Sequence, residues 1–218
     1  MKFLPLVLAI FSVSAQASKN ILLIGFWPPT NEMLREFKAP QKNWKNSGFD
    51  IYAYYPEFPK GGSVGEGPFR VDFAATFNDF QKYTKELEPV AIIGFGHGAG
   101  PWEIETNFPN HFARWFREGR LPSQVGVVNV AVPPSLEENI RRYSSLPVGA
   151  IAKRVGWVDR NDDAGDYLCG FLGYLSAWYH DTNPHNQMAG FIHVNMSLLE
   201  AKKSLDLTLD AVVENLGK

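Results

Sequence analysis

The chain has 218 residues, 45% of them hydrophobic and 20% charged, which suits one globular domain with a sizeable core and excludes a disordered segment. Its formal net charge of −2 carries no electrostatic footprint for nucleic acid or an anionic membrane surface. The single cysteine, Cys169, rules out an intrachain disulfide, so that thiol serves either packing or chemistry.

Taken in chain order, the first feature is an export signal. Lys2 supplies a positive start, residues 3–13 are apolar, and Ala15-Gln16-Ala17 has the small-x-small form of a cleavage site. The apolar run is shorter than the roughly 20 residues a bilayer-spanning helix needs. Residues 1–17 therefore read as a secretory signal peptide and residues 18–218 as the mature domain, periplasmic or secreted, with no membrane span of its own. An unpaired thiol kept in an oxidising compartment mildly favours a functional role.

Residues 21–26 form a short apolar run ending at Gly25-Phe26 and Pro28-Pro29, the pattern of a strand buried on both faces. A short helix is expected over 31–37, with Asn31 as its cap and Pro40 blocking extension. A second strand follows at 49–55, then a glycine-rich loop at 60–68. Gly61-Gly62-Ser63-Val64-Gly65 in that loop fits the serine-hydrolase pattern, but its flanking prolines deny it the strand–turn–helix setting the pattern requires. Phe73, Phe77, Phe80 and Tyr83 recur at helical spacing within 72–87, and 90–95 is a third buried strand. The glycines at 94–100 lead into an extended segment at 101–105 instead of opening a helix, which argues against a dinucleotide site. A fourth strand is expected at 127–132, a helix at 136–143, and a mixed segment at 148–158. A helix over 164–179, capped by Asp162 or Asp163, carries Cys169. A fifth strand at 188–194 contains His193, and residues 197–216 make an amphipathic terminal helix. Buried strands alternating with helices predict a single-domain α/β protein, a three-layer α/β/α sandwich around a mostly parallel central sheet.

Sites in such sheets form at the carboxyl ends of strands. That rule singles out residues 25–30, residues 94–105 and His193. Cys169, near the start of its helix, would face the same rim, where a helix dipole and a histidine favour a thiolate. His111, His180 and His185 lack metal-ligand spacing and read as surface or loop residues, so neither a metal nor a cofactor is expected.

Three segments together resemble the pyroglutamyl peptidase I family (pyrrolidone-carboxylate peptidases). Asp163-Ala164-Gly165 with Tyr167-Leu168-Cys169, then Phe171 and Tyr174, is similar to the family's nucleophile motif. Ala189-Gly190-Phe191-Ile192-His193-Val194 is similar to its histidine motif, at the family's Cys-to-His interval. Residues 94–110 resemble the acidic motif, with Glu105 and Asn110 at its spacing. The resemblance implies a cysteine peptidase that removes an N-terminal pyroglutamyl residue, acting on peptides with a blocked N-terminus, often as a homotetramer. It implies catalytic Cys169, His193 and Glu105, with Arg114 near the reacting carbonyl. Phe26, Tyr167 and Leu168 would wall the lactam pocket, and Glu103 reads as a surface carboxylate. The chain departs from the family at Pro29-Thr30, at Pro101-Trp102 and at Asn195. Rival readings are an exported thiol amidase of the same fold with another N-terminal specificity, and a non-catalytic exported binding protein.

Overall fold

The computed structural model describes residues 19–59, 61–110, 140–161, 164–165 and 167–216. The expected signal peptide, the strand at 127–132, Arg114, His111 and the candidate caps Asp162 and Asp163 lie outside the described residues.

The central sheet is built from β1 (Asn20–Gly25), β2 (Asp50–Tyr54), β3 (Ala91–His97), β4 (Trp102–Glu105), β7 (Asp159–Asn161) and β8 (Met188–Val194). These six strands lie in the order β2-β1-β3-β8-β4-β7. The first four in spatial order are parallel, and β4 runs antiparallel to β8. Their apolar runs leave the side chains of Ile21 to Ile24 and Ala91 to Ile93 without solvent exposure, as expected where helices cover both faces of a parallel sheet. One face packs Met33 and Leu34 of α1 (Pro28–Leu34), Ile151 of α3 (Val148–Val155), and Leu205, Leu209 and Val212 of α5 (Leu198–Leu216). The other packs Phe73, Phe77 and Phe80 of α2 (Phe73–Leu87) against Phe171, Leu172 and Leu175 of α4 (Leu168–Thr182). The molecule is the expected single-domain α/β/α sandwich.

Four local expectations are corrected. Helix α1 starts at Pro28, because the fixed φ of Pro28 and Pro29 suits the first helical positions. Asn31 is thus inside the helix, where its Nδ2 donates to the Pro56 carbonyl at 2.8 Å. Helix α4 starts at Leu168 instead of residue 164, because Gly165 holds φ +82°, outside helical space. Tyr167, not an aspartate, occupies its cap position, with no side-chain cap bond. Arg141–Tyr143 form strand β6, paired antiparallel with β5 (Asn107–Pro109), where a helix was expected. Pairing with β5 outweighs local helical spacing there, and Arg142 lies over the Tyr174 ring at 5.3 Å. The mixed segment resolves into α3, ended by Gly156.

Candidate active site

Strand alternation assembles the site from β3, β4 and β8 on the face covered by α4. On β8, Ile192 and Val194 enter the α5-side core, so His193 points to the α4 side with Phe191. On β4, Trp102 and Ile104 likewise face α5, which turns Glu103 and Glu105 toward α4. The register sets Gly96 of β3 beside His193 on one flank and Glu103 directly opposite it on the other.

Cys169 is the second residue of α4, in the first turn, where backbone N–H groups have no intrahelical partner and the dipole favours an anion. Its sulfur presses on Gly96, where a Cβ would come within 2.8 Å of Sγ. The thiol is half-buried against the aromatic cluster that also holds Phe26 and Leu168.

His193 Nδ1 lies 2.5 Å from Glu105 Oε1. Asn161 Nδ2 donates to the same oxygen at 3.4 Å, and the Glu105 side chain is 0% exposed. With Nδ1 committed to the acid, Nε2 is the nitrogen left to serve the Cys169 thiol. Burial alone would lower the imidazole's pKa; the hydrogen bonds to Cys169 and Glu105 outweigh it and raise the value to about 10. An imidazole placed between a sulfur and a carboxylate can take the thiol proton and hold it.

The structure thus brings Cys169, His193 and Glu105 into one constellation. Phe26 is buried edge-on to Phe69, and Leu168 is buried in the same cluster. Tyr167 is 37% exposed at the start of α4, edge-on to Phe73. Glu103 is corrected: its side chain is only 14% exposed, with Oε2 3.9 Å from His193 Nδ1. The signal for it was present, since two glutamates two positions apart in an extended segment must share a face. Glu103, Glu105 and His193 offer oxygen and nitrogen atoms within 4.8 Å of one another. Two of those atoms, Glu105 Oε1 and His193 Nδ1, are joined by the short hydrogen bond. His180 Nδ1 is 3.1 Å from the Asn186 carbonyl oxygen and His185 Nε2 is 2.9 Å from the Tyr179 hydroxyl; both are structural contacts away from this cluster.

A thiol at a helix start, backed by a buried imidazole–acid pair on a doubly covered sheet, is the layout of a cysteine-type peptidase. The sequence profile of the pyroglutamyl peptidase family matches residues 66–214, and the chain belongs to that family. Among solved structures it is similar to the pyrrolidone carboxyl peptidase of Thermococcus litoralis, at 18% identity and a TM-score of 0.69 over 91% of this chain and 95% of that one. The Pyrococcus furiosus pyrrolidone carboxyl peptidase matches at 18% identity and a TM-score of 0.69, over 90% and 99% of the two chains. Identities this low carry the shared fold. A sequence comparison with curated proteins returns no significant match.

Proposed function

We propose that the protein hydrolyses the amide bond following an N-terminal pyroglutamyl residue, through a Cys169–His193–Glu105 triad and a thioester acyl-enzyme. The observation that carries this reading is the His193 ring, held at Nδ1 by Glu105 at 2.5 Å, with the Cys169 sulfur against Gly96, its neighbour in the β3–β8 register. Membership of the pyroglutamyl peptidase family supplies the substrate class.

In this mechanism the Cys169 thiolate attacks the pyroglutamyl carbonyl carbon, and the carbonyl electron pair moves onto oxygen. The N–H groups of the first turn of α4, which have no intrahelical partner, are the natural donors to that oxyanion, one such donor being worth about 3 kcal/mol. Arg114, by resemblance, would assist them. The tetrahedral species collapses, the C–N bond breaks, and His193 gives its proton to the departing amine. Water then attacks the thioester, passing a proton back to His193, and the C–S bond breaks to release pyroglutamate. Glu105 keeps the ring oriented and its charged form favoured throughout. Phe26, Leu168 and Tyr167 would enclose the neutral lactam.

Pyroglutamyl-aminomethylcoumarin should be cleaved by the purified protein, and Cys169→Ala or His193→Ala should each lower kcat by about three orders of magnitude or more. Undiminished turnover in Cys169→Ala refutes the triad. One observation favours a second reading, a thiol amidase with another N-terminal specificity. Residues 29 and 30 depart from the family pattern and lie in the first turn of α1, with Trp27 stacked on His97 at 6.1 Å. A panel of N-acyl-aminomethylcoumarins separates the two by which acyl group is released fastest.

We also propose that residues 1–17 direct export, on the strength of the apolar run and the Ala15-Gln16-Ala17 site. Mass spectrometry of the protein recovered outside the cytoplasm should show a chain starting at Ser18; a chain retaining Met1 in that fraction rules out cleavage there.

A further inference from the structure

Among the described residues, Glu103 is the one acid of the His193 cluster that the triad does not use. It stands directly across from His193 in the antiparallel β4–β8 pair, so the backbone ladder itself fixes its proximity. Its Oε2 is 3.9 Å from Nδ1, the same ring nitrogen that Glu105 holds at 2.5 Å. The turn after β3 closes over this contact: a Cβ on Gly98 would sit 2.4 Å from His193 Cβ and 2.8 Å from Glu103 Oε2. Among the described residues no lysine or arginine forms an ion pair with Glu103, which leaves His193 as its charge partner.

We propose that Glu103 is a second positioning carboxylate for His193, sharing with Glu105 the task of holding the imidazolium half of the thiolate–imidazolium pair. This rests on the thiol-peptidase reading above for its role in turnover, though not for its effect on the ring. The two acids differ in what they do. Glu105 is fully buried and makes the short hydrogen bond, so it fixes ring orientation. Glu103 lies nearer solvent and contributes charge without a hydrogen bond, and it is near enough to take over part of the work when Glu105 is neutralised.

The other groups that face the ring are few. Helix α4 contributes the Cys169 sulfur, with Tyr167 at its cap position. Strand β4 contributes the two glutamates, and β7 contributes Asn161, with Asp159 in register behind Glu103 and exposed. Strand β3 contributes Gly96, while His97 is engaged with Trp27. Glu103 and Glu105 are thus the carboxylates at the Nδ1 side among the described residues.

The test is a titration of His193 by NMR of the full-length protein carrying carbon-13-labelled histidine, with the resonance assigned through His193→Gln. An opposite charge about 4–6 Å away favours the charged form, so Glu103→Gln should move the His193 midpoint down by about one pH unit. Glu103→Asp, which keeps the charge, should recover at least about half of that shift. Glu105→Gln should retain a midpoint above the ordinary histidine value, and the Glu103→Gln/Glu105→Gln double variant should fall a further step below Glu105→Gln, leaving what Cys169 contributes. Should the His193 midpoint in Glu103→Gln stay within about 0.2 units of wild type, the proposal falls. Should Glu103→Gln fail to fold, an unchanged midpoint in Glu103→Asp together with no drop between Glu105→Gln and a Glu103→Asp/Glu105→Gln double variant overturns it equally. The alkaline limb of kcat/KM on the pyroglutamyl substrate should shift in parallel. A midpoint that moves in a protein with no pyroglutamyl hydrolysis leaves the Glu103 assignment standing and removes the substrate reading instead.

Discussion

At the scale of single residues, the site depends on what is missing beside the sulfur. Gly96 sits next to His193 in the β3–β8 register, and the Cys169 thiol occupies the space a side chain would fill. A Cβ at that position would lie 2.8 Å from Sγ and 2.9 Å from Cζ of Phe191. Neither neighbour can yield freely, since Cys169 is fixed by the first turn of α4 and Phe191 is fully buried. Gly96→Ala should therefore displace the thiol from the imidazole more than it unfolds the sheet. We expect alkylation of Cys169 by iodoacetamide at neutral pH to slow by about tenfold or more, because thiolate formation depends on that contact. The measurement is the pseudo-first-order alkylation rate, read alongside circular dichroism to confirm the fold; an unchanged rate would mean the sulfur has room to spare. Overpacking of this kind typically costs about 1–3 kcal/mol of stability.

At the scale of elements, what was legible follows from how much of each signal was local. Strands β1, β3 and β8 are continuous apolar runs bounded by glycine, proline or polar residues, and they fall within a residue or two of their expected places. The Cys–His–Glu set was legible through resemblance, and the structure gathers it. Arg141–Tyr143 were misread because their strand exists only through pairing with Asn107–Pro109, a partner more than thirty positions away that local periodicity does not report. The start of α4 was misplaced by four residues because nothing in the text of the sequence says that Gly165 takes a left-handed φ. That shift has a chemical consequence. Starting at Leu168 puts Cys169 in the first turn, at the positive end of the dipole, and not a turn and a half inside the helix. Sequence alone reads Glu103 as a surface carboxylate because a charged residue beside a glycine turn is usually solvated. Only the antiparallel placement of β4 against β8, in an otherwise parallel neighbourhood, sets it across from His193.

At the scale of the whole molecule, the site and the stability of the fold share one proton. The sheet order places β3, β8 and β4 side by side, so Gly96, His193, Glu103 and Glu105 are neighbours in space although up to 97 positions apart in sequence. Unfolding releases His193 from Cys169 and Glu105 and returns it to an ordinary pKa of about 6.5. In the folded protein its pKa is raised to about 10. A raised folded value means the folded state binds the proton more tightly than the unfolded chain does. The stability this contributes is fully present below about pH 6.5 and is lost as pH rises through about 10. His193→Gln lacks the term altogether. The urea midpoint of the wild type should thus exceed that of His193→Gln by its largest margin at pH of about 6, and the margin should narrow steadily as pH approaches and passes about 10. The variant is less stable at every pH, since Glu105 is left buried without its partner, so the diagnostic quantity is the change in the margin with pH and not its size. A margin that stays flat or widens over that range would show that His193 is not charged in the folded protein near neutral pH, and with that the thiolate–imidazolium pair would lose its physical basis.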